Sequence, residues 1–398
     1  MRARAPVLAV GAVLVVVSFV IYLLSSRQFN AGRGDLFYLA AAFLRGQTWL
    51  TFAPGPNDVI LGPDGRVFVP FAPFPAIVLM PLVWLIGPYQ ADVWQPIVNS
   101  FIAAVDVGLA FWLVGRAGVQ TIGTRLWLAV LLGFSTAIWW VTTRGGVWHT
   151  GHLIATFLTL CALIEVLGKR RAWLIGLLAG AAFLTRAPLA FALPVYAVLV
   201  WDPPDGRRWT AIRSWPFEQW IELTLGFLPS LAFFLWYNEA RFGSPFESGY
   251  AMATLPPFLE ALREQGLFSL SHIGMNLDYL FLHLPKPIPD PPYIQPDGLG
   301  MSIFLTSPGL LLAVLAPWRS GLARWLAVAA VLVLIPTLLY YGGGWLQYGY
   351  RYALDSIPFV LLLCAMAAAK RGLGWVWRGA IAFGVVINLI GVYWAYNI

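Results

Sequence analysis

Runs of about twenty apolar residues recur along this chain and leave little room for a water-soluble core. Residues 6–24 contain no charged side chain, and similar runs follow to the end of the sequence. Only 11% of the 398 residues are charged, whereas a soluble domain carries roughly 25%. Because backbone polar groups in lipid must bond within their own segment, long apolar runs become helices. The sequence therefore predicts an all-α polytopic membrane protein.

Hydropathy predicts about eleven transmembrane helices, with further interfacial helices in the outer loops. The predicted spans are 6–24, 96–115, 124–142, 150–168, 172–186, 188–201, 219–237, 301–316, 325–341, 353–369 and 376–396. The first is longer than the core of a signal peptide, and the SSRQF that follows it is a poor cleavage site. Residues 1–24 are therefore interpreted as an uncleaved signal-anchor helix.

The apolar segment 73–88 is ambiguous, because it is shorter than the roughly twenty residues of a full span. It also contains Pro73, Pro75, Pro81 and Pro88, and proline removes helix hydrogen bonds. Treating it as a re-entrant or interfacial element places the basic GKRR motif (168–171) and the 202–215 connection on one side, together with the N-terminus. Positive residues collect in cytoplasmic loops, so that side is predicted to be the cytoplasm.

With this topology, 15 of the 25 Lys and Arg residues fall in short cytoplasmic connections. They are Arg2, Arg4, Arg116, Arg125, Lys169, Arg170, Arg171, Arg207, Arg208, Arg213, Arg319, Arg324, Lys370, Arg371 and Arg378. The net charge of +7 is thus explained by topology and does not indicate nucleic-acid binding.

Two long loops, 25–95 and 238–300, then lie on the outer face. The predicted organisation is a transmembrane module at 1–240, which includes the first outer loop, a long outer loop at 241–300, and C-terminal helices at 301–398. An amphipathic helix is predicted within the second loop at 256–268. Long loops without regular structure are often functional.

Asp35 is the first carboxylate of the chain, about ten residues after the first span. Apolar residues follow it at helical spacing, at positions 36, 39, 40 and 43, so 35–45 is predicted to be a short helix at the membrane surface. A carboxylate at the start of a helix satisfies free amide donors. Asp35 is therefore either a helix cap or a catalytic base at the membrane surface.

Two motifs near the predicted outer face admit several interpretations. In RGGVWHTGH (144–152), Arg144, His149 and His152 are expected to converge, and the two histidines share one helix face. They either form a structural pair, contact a substrate or Asp35, or bind a metal, for which two ligands are too few. The segment VFVPFAPFPAIVLMP (67–81) is either a structural loop or part of a substrate site.

Arginines mark two further positions. Arg186, in FLTRAPLAFALP (183–194), either binds a phosphate or extends to the membrane interface, because an arginine facing lipid is costly. LQYGYRYALDSIPF (346–359) is the densest polar cluster, with Gln347, Tyr348, Tyr350, Arg351, Tyr352 and Asp355. Arg351 and Asp355 are four apart and either pair with each other on one helix face or leave Arg351 to hold an anionic group.

Soluble-enzyme chemistry has no motif to support it. The sequence contains no CxxC, HExxH, P-loop or GxGxxG pattern. Cys161 and Cys364 lie in apolar runs and are interpreted as core residues. Asp106 falls inside the second span and is expected to be protonated or paired.

The order of these features resembles the membrane-embedded glycosyltransferases of the GT-C class. These features are one N-terminal span, an early Asp in a long outer loop, a proline-rich apolar element, a basic cytoplasmic turn, Thr-Arg-Ala-Pro, and a late Tyr-Arg-Tyr. The layout is most similar, over about the first 240 residues, to the branch that contains protein O-mannosyltransferases and the lipid A aminoarabinose transferase. WYNEARFGSPFESGY (236–250) and QYGYRYALDSIPF also look like this class. The relatives often carry an Asp-Glu pair where this chain has Asp35 and Leu36.

The resemblance implies an inverting transfer of a sugar from a polyprenyl-phosphate donor to an acceptor hydroxyl, with Asp35 as the base. Arg186, Arg351 and Tyr350 would hold the donor phosphate, and Arg144, His149, His152, Gln347 and Tyr352 would contact substrate. No metal or nucleotide cofactor is required. The partners would be the lipid-linked sugar, membrane lipids and a glycan, lipid or protein acceptor, at the extracytoplasmic face of a bacterial plasma membrane. The alternatives are an oligosaccharide polymerase or ligase of the same class, and a transporter of lipids or solutes without chemistry.

Overall fold

The computed structural model describes residues 4–26, 34–54, 59–62, 64–201, 215–290, 293–344 and 346–395. Its α-helices are α1 (Arg4–Ser25), α2 (Asp35–Leu44), α3 (Phe74–Ile86), α4 (Ala91–Arg116), α5 (Ile122–Phe134), α6 (Ile138–Arg144), α7 (Val147–Val166), α8 (Ala172–Phe183), α9 (Leu193–Leu199), α10 (Phe217–Phe242), α11 (Pro257–Arg263), α12 (His272–Leu277), α13 (Ile303–Thr306), α14 (Gly321–Leu339), α15 (Ile357–Arg371) and α16 (Trp375–Ala395). Tighter 3-10 segments lie at Pro88–Gln90, Ala187–Ala192, Pro308–Leu315 and Arg351–Asp355, and a π-helical turn at Asp278–Leu282. Two antiparallel strand pairs complete the described part: β1 (Ile60–Leu61) with β2 (Val67–Phe68), and β3 (Lys286–Pro287) with β4 (Ile294–Gln295).

The protein is a helical membrane protein. Six of the described helices are long and apolar enough to cross a membrane, namely α1, α4, α7, α10, α14 and α16. The pair α5 and α6, bent by 47° at a short break, adds a seventh if it counts as one span. The predicted total of about eleven spans is therefore not confirmed.

The difference comes from helix continuity. Each remaining predicted span is helical over most of its length, but α8 has 12 residues and α15 has 15. At 1.5 Å per residue these helices are only about 18 and about 23 Å long, against about 30 Å of hydrocarbon. The predicted spans 188–201 and 301–316 are each divided between a 3-10 segment and a short helix. A hydropathy window counts apolar residues and does not detect such breaks.

The helix predicted at 35–45 is confirmed as α2. It does not lie alone on the membrane surface with one face exposed, because most of its residues are buried. It packs on α3, the 13-residue helix that forms the ambiguous segment 73–88 and contains Pro81. The helix predicted at 256–268 is shorter than expected and ends at Arg263 as α11.

The longest helices define two ends of the bundle. Gln95 and Asn99, near the start of α4, both contact Thr150, near the start of α7. At the other end of α4, the Arg116 guanidinium lies beside Gly168, just after α7. The two helices are thus parallel. The end that holds their N-termini is called the site end, and the opposite end the basic end.

Some of the cations that the sequence places on one side lie at the basic end. Gly118, after α4, approaches Ala369 near the end of α15, so Lys370 and Arg371 lie close to Arg116. Of the other predicted cytoplasmic cations, Arg2 and the three arginines at 207, 208 and 213 lie outside the described residues.

Helices α8 and α10 meet backbone to backbone along a glycine seam. A Cβ atom on Gly176 would lie 2.0 Å from the carbonyl oxygen of Leu223, and one on Gly226 would lie 2.0 Å from that of Trp173. A Cβ on Gly180 would meet the Ser230 hydroxyl at 2.6 Å. Small residues allow membrane helices to approach this closely. Any larger residue at Gly176 or Gly226 would force the two helices apart.

Candidate functional site

A buried ion pair joins two distant parts of the chain at the site end. The Arg186 Nε donates to both carboxylate oxygens of Asp355, at 2.6 and 2.7 Å. The His152 Nδ1 lies 3.5 Å from the same carboxylate, at the limit of hydrogen bonding. The Asp355 and His152 side chains are each 1% exposed and that of Arg186 is 16% exposed. This pair fixes the segment after α8 against the start of α15.

Arg351 does not pair with Asp355, although their spacing of four residues allowed it. Its Nη1 lies 3.3 Å from the Nε2 of His149. The His149 Nδ1 contacts the carbonyl of Gly145, and a carbonyl can only accept. The Nδ1 therefore carries the proton, and the Nε2 of a neutral imidazole accepts from Arg351. Of the two alternatives, the i, i+4 ion pair is not formed, because residues 351–355 are a 3-10 segment, which turns the two side chains to different faces.

Arg351 is a buried cation that no carboxylate neutralises among the described residues. Arg351 is 7% exposed, and its Nε has no hydrogen-bond partner among the described residues. Burying an unpaired charge is costly, so such a group normally has a counter-ion. The arrangement therefore suits an incoming anion.

The ring of Tyr352 lies near both guanidinium groups. The Arg186 Cζ is 5.4 Å from the ring centroid and the Arg351 Cζ is 5.5 Å from it, within cation–π range. Tyr340 contacts Tyr352 with ring centroids 6.2 Å apart, and Tyr250 contacts Tyr340 at 6.4 Å. A line of phenol rings thus leads from the loop after α10 to the two arginines.

Breaks in the helices place these side chains. Gly145 and Gly146, with φ of 61° and 86°, separate α6 from α7; this left-handed backbone favours glycine. The chain also leaves helical geometry at Arg186 (φ −149°). The carbonyl of Leu184, freed by the end of α8, accepts from the backbone N–H of Phe74 at the start of α3. The site is thus built where helices stop.

Gln347 and Tyr350 have framework roles. Gln347 is fully buried; its amide donates to the carbonyls of Leu299 and Gly343, and its oxygen accepts from the Arg351 backbone N–H. The Tyr350 hydroxyl donates to Asn276, and the residue is only 3% exposed. Both side chains therefore point into the protein. Gln347, predicted to contact substrate, and Tyr350, predicted to hold the phosphate, are bonded to neighbouring segments of the chain instead.

Arg144 ends α6 at the site end, and Gly145 and Gly146 separate it from α7, which carries His149. The sequence predicts that Arg144, His149 and His152 converge. In the structure, His149 lies beside Arg351, and His152 lies beside the Asp355 carboxylate that pairs with Arg186. Among the described residues, no group of three His, Cys, Asp or Glu side chains is arranged to hold a metal ion.

Asp35 begins α2 at the same end of the bundle and is 3% exposed. Gly34 is the N-cap residue, so the carboxylate lies in the first turn, where it interacts favourably with the helix dipole. A Cβ at Gly34 would contact Ala91, the first residue of α4. The apolar residues of α2 share a core with Val147 of α7. Asp35 thus lies at the end that carries the arginines.

We expect Asp355→Ala to lower the free energy of unfolding by about 3–5 kcal/mol, because it leaves Arg186 buried without its anion. The double variant Arg186→Met/Asp355→Leu should recover most of this loss, since apolar replacements of buried pairs are often neutral. Unfolding in detergent, followed for both variants and for wild type, measures the difference. A cost below about 1 kcal/mol for Asp355→Ala would contradict a structural role for the pair.

A second polar cluster lies in the segment 278–300. The His283 Nδ1 is 2.8 Å from Asp278 and its Nε2 is 2.9 Å from Asp297, which also contacts Lys286 at 2.8 Å. Ionised carboxylates only accept hydrogen bonds, so both ring nitrogens must carry protons. Burial lowers the pKa of His283, but hydrogen bonds to Asp297 and Asp278 outweigh it and the pKa is raised. Burial likewise raises the pKa of Asp297, yet the contacts with Lys286 and His283 leave it lowered.

This His283 cluster connects to the arginine site through the backbone. Asp297 accepts from the N–H of Leu299. Gly298 and Leu299 give their carbonyls to Gln347, which in turn holds the Arg351 backbone. Loosening the His283 cluster should therefore loosen the segment beneath Arg351.

We expect the segment 293–300 to open as the pH rises. His283 has a raised pKa in the folded state, so its stabilisation is complete below its ordinary value of 6.5 and is lost as the pH rises from there through the raised pKa of the folded state. Asp297 has a lowered pKa, so its contribution is lost only as the pH falls below its ordinary value of 3.8. Amide hydrogen exchange, corrected for intrinsic rates, should rise between about pH 5.5 and about pH 8.5, by about tenfold for each ~1.4 kcal/mol of stabilisation that is lost.

His283→Gln should remove this pH dependence of exchange. His272→Gln is the control and should retain it, because the His272 ring contacts the Gly266 carbonyl and not the His283 cluster. Equal pH profiles for wild type and His283→Gln would contradict the assignment.

Comparisons with protein-family models, with curated proteins and with solved structures gave no match for this chain. Its likeness to the GT-C class therefore remains a prediction.

Sequence reasoning missed part of the site. Asp355 entered only as a partner for Arg351, while its true partner Arg186 is 169 residues away. Tyr250 and Tyr340 were not singled out, although Tyr250 stands in the WYNEARFGSPFESGY segment. The His283 cluster was missed because Asp297 reaches His283 only when the segment folds back at β3 and β4, although Asp278 is only five residues before His283.

Proposed function

We propose that this protein is a membrane-embedded glycosyltransferase that moves a sugar from a polyprenyl-phosphate carrier to an acceptor hydroxyl. The observation that carries the proposal is Arg351, a buried guanidinium without a carboxylate partner among the described residues, close to the same tyrosine ring as Arg186. A guanidinium presents donors that match phosphate oxygens. The positive charge of Arg186 is already balanced by Asp355, so Arg351 is assigned the larger share of the donor phosphate.

The chemistry follows from these roles. The acceptor oxygen attacks the anomeric carbon and forms the new glycosidic bond. The bond from that carbon to the phosphate oxygen breaks, and the electron pair leaves with polyprenyl phosphate. Arg351 stabilises the charge that grows on this phosphate, and Asp35 takes the acceptor proton. A single displacement inverts the anomeric configuration.

The neighbouring groups have supporting roles. His149 is neutral and accepts from Arg351, so it orients the guanidinium without neutralising it. Tyr352, whose ring lies within cation–π range of both arginines, can contact the sugar. The positive-inside tendency assigns the basic end to the cytoplasm and the site end to the outer face of a plasma membrane.

The test is transfer by purified protein in vesicles that contain polyprenyl-phosphate sugars with labelled hexoses or pentoses and a total glycolipid extract as acceptor. We expect label to move from the polyprenyl carrier to a new product, with inverted anomeric configuration. Failure of every donor, together with no measurable binding of polyprenyl phosphate, would overturn the proposal.

One observation favours a second candidate, a lipid or solute transporter. Asp106 is fully buried in α4, and neither of its carboxylate oxygens has a hydrogen-bond partner among the described residues. Ionisable residues inside membrane helices often mark transport paths. Movement of a lipid-linked sugar across sealed vesicles, abolished in Asp106→Asn and unaffected by Arg351→Gln, would favour the transporter.

A further inference from the structure

A cleft of about 290 Å³ opens along α2, away from the two arginines. Three segments form it: one face of α2, the residues 47–52, and the 3-10 turn at Pro88–Gln90. Ligand pockets start near about 300 Å³, so the cleft is about as large as the smallest of them.

Aromatic rings line one side of the cleft. The ring of Tyr38 meets that of Phe52 at 4.9 Å and an interplanar angle of 77°, and that of Tyr89 at 6.0 Å and 59°. Tyr38 is half-buried, whereas Tyr89 is 78% exposed. The three rings therefore present differently oriented faces to one space. Aromatic faces carry partial negative charge and attract the polarised C–H groups of a sugar ring.

Polar groups line the other side. The Arg45 Nε donates to the Gln47 side-chain oxygen at 3.3 Å, which leaves the other guanidinium donors and the Gln47 amide to face a ligand. Thr51 adds a hydroxyl to the lining. The turn after α2 sets this pair in place, with Gly46 at φ 70° and the Gln47 N–H bonded to the Ala42 carbonyl. Rings beside a few polar groups make a typical small-molecule site.

The cleft follows the face of α2 that begins with Asp35. Residues 35, 38, 41 and 45 share one side of a helix, and Tyr38 and Ala41 lie in the cleft with Arg45. At 1.5 Å per residue, Arg45 is about 15 Å from Asp35 along the helix axis. Burial first, then the charges of Asp92, Tyr89 and Asp35, raise the pKa of Tyr38, so its hydroxyl stays a hydrogen-bond donor and Asp35 lies within electrostatic reach.

We propose that this cleft binds the acceptor, and that the acceptor is a saccharide whose sugar rings lie along α2 with the reacting hydroxyl toward Asp35. The assignment rests on the proposed function, because it places an acceptor beside the proposed base. It narrows the acceptor class from glycan, lipid or protein to a glycan-bearing molecule. The rings stack on the sugar faces, while Arg45, Gln47 and Thr51 bond its hydroxyls.

The experiment measures binding without any donor. Protein in lipid nanodiscs is titrated with di- to tetrasaccharides of mannose, glucose and arabinose, and affinity is followed by calorimetry. We expect at least one saccharide to bind to wild type, and Tyr38→Ala to weaken that binding by about tenfold or more. Tyr38→Phe keeps the ring and should lose much less, and Gln47→Ala should lose about threefold to tenfold. Tyr293→Ala is the matched control, because Tyr293 is an exposed ring in another loop. This variant should bind saccharide as wild type does.

Two outcomes overturn the cleft: no binding of any saccharide in the panel, or equal affinity in wild type and Tyr38→Ala. Either result would assign the rings to the membrane–water interface instead. Asp35→Asn separates the two proposals, because it should keep saccharide binding while it loses transfer. If wild type binds a saccharide but transfers no sugar, the cleft is still a saccharide site and the glycosyltransferase proposal fails. If wild type transfers sugar but binds no saccharide, the glycosyltransferase proposal stands and the cleft is not the acceptor site.

Discussion

Replacing Arg351 with glutamine is expected to lower the rate of sugar transfer by about 10²–10³-fold, the usual effect of removing one donor to a developing oxyanion. Among the described residues, Arg351 is buried and has no carboxylate partner, so its charge is available to the leaving phosphate. Glutamine keeps polarity and approximate size but loses the cation. Arg351→Lys should recover part of the rate, because it restores charge without the planar fork.

Initial rates of transfer from a labelled polyprenyl-phosphate sugar measure this effect, together with the Kd for polyprenyl phosphate alone. Arg171→Gln is the control: this arginine forms an ion pair with Glu165 at the basic end, and its loss should leave transfer unchanged. The unfolding transition of each variant establishes that it is folded. A folded Arg351→Gln protein with wild-type rate and affinity would remove Arg351 from the phosphate site.

Asp35→Asn is expected to reduce transfer by about 10²–10⁴-fold, the typical contribution of a positioned general base. Asparagine preserves the shape of the side chain at the start of α2 but cannot take the acceptor proton. Because the proposed scheme assigns the donor phosphate to Arg351 and gives Asp35 only the acceptor proton, donor affinity should stay within about twofold of wild type. The loss should thus appear in kcat rather than in the donor KM.

Asp64→Asn provides the comparison within the same loop, since Asp64 is exposed and forms a surface ion pair with Arg66. Its transfer rate should match that of wild type. If Asp35→Asn retains full activity, Asp35 is a helix-terminal carboxylate and the base lies elsewhere. If Asp35→Asn loses donor binding as well, its role is structural.

The helices were predictable because they follow local apolar runs. Residues 6–24, 96–115 and 150–168 each became one long helix within a few residues of the expected ends. The breaks were not predictable in the same way. Where α8 stops at Phe183, the freed carbonyl of Leu184 bonds to Phe74, more than a hundred residues earlier. Such compensation is tertiary, and no local window contains it.

The site shows the same division. The sequence could assemble Arg186, Arg351, His149 and His152 at one end of the bundle, because each stands at the end of an apolar run. It could not assign partners, since the spacing of Arg351 and Asp355 assumed an α-helix that is absent there. Tyr350 had the right neighbours in sequence, but its hydroxyl points to Asn276 in the core. Proximity along the chain identified the cluster, whereas side-chain direction needed the fold.

The glycine seam between α8 and α10 makes the Arg186 side of the site rigid, whereas the Arg351 side follows a more adaptable turn. Backbones in direct contact at Gly176 and Gly226 cannot slide without collision, so Arg186, three residues beyond α8, keeps its place. Arg351 instead follows a glycine-rich turn in which Gly343, Gly344 and Gly349 all have positive φ. Adjustment to donors of different size is therefore expected in the glycine-rich turn before Arg351, while Arg186, paired with Asp355, acts as the fixed reference against which each donor is positioned.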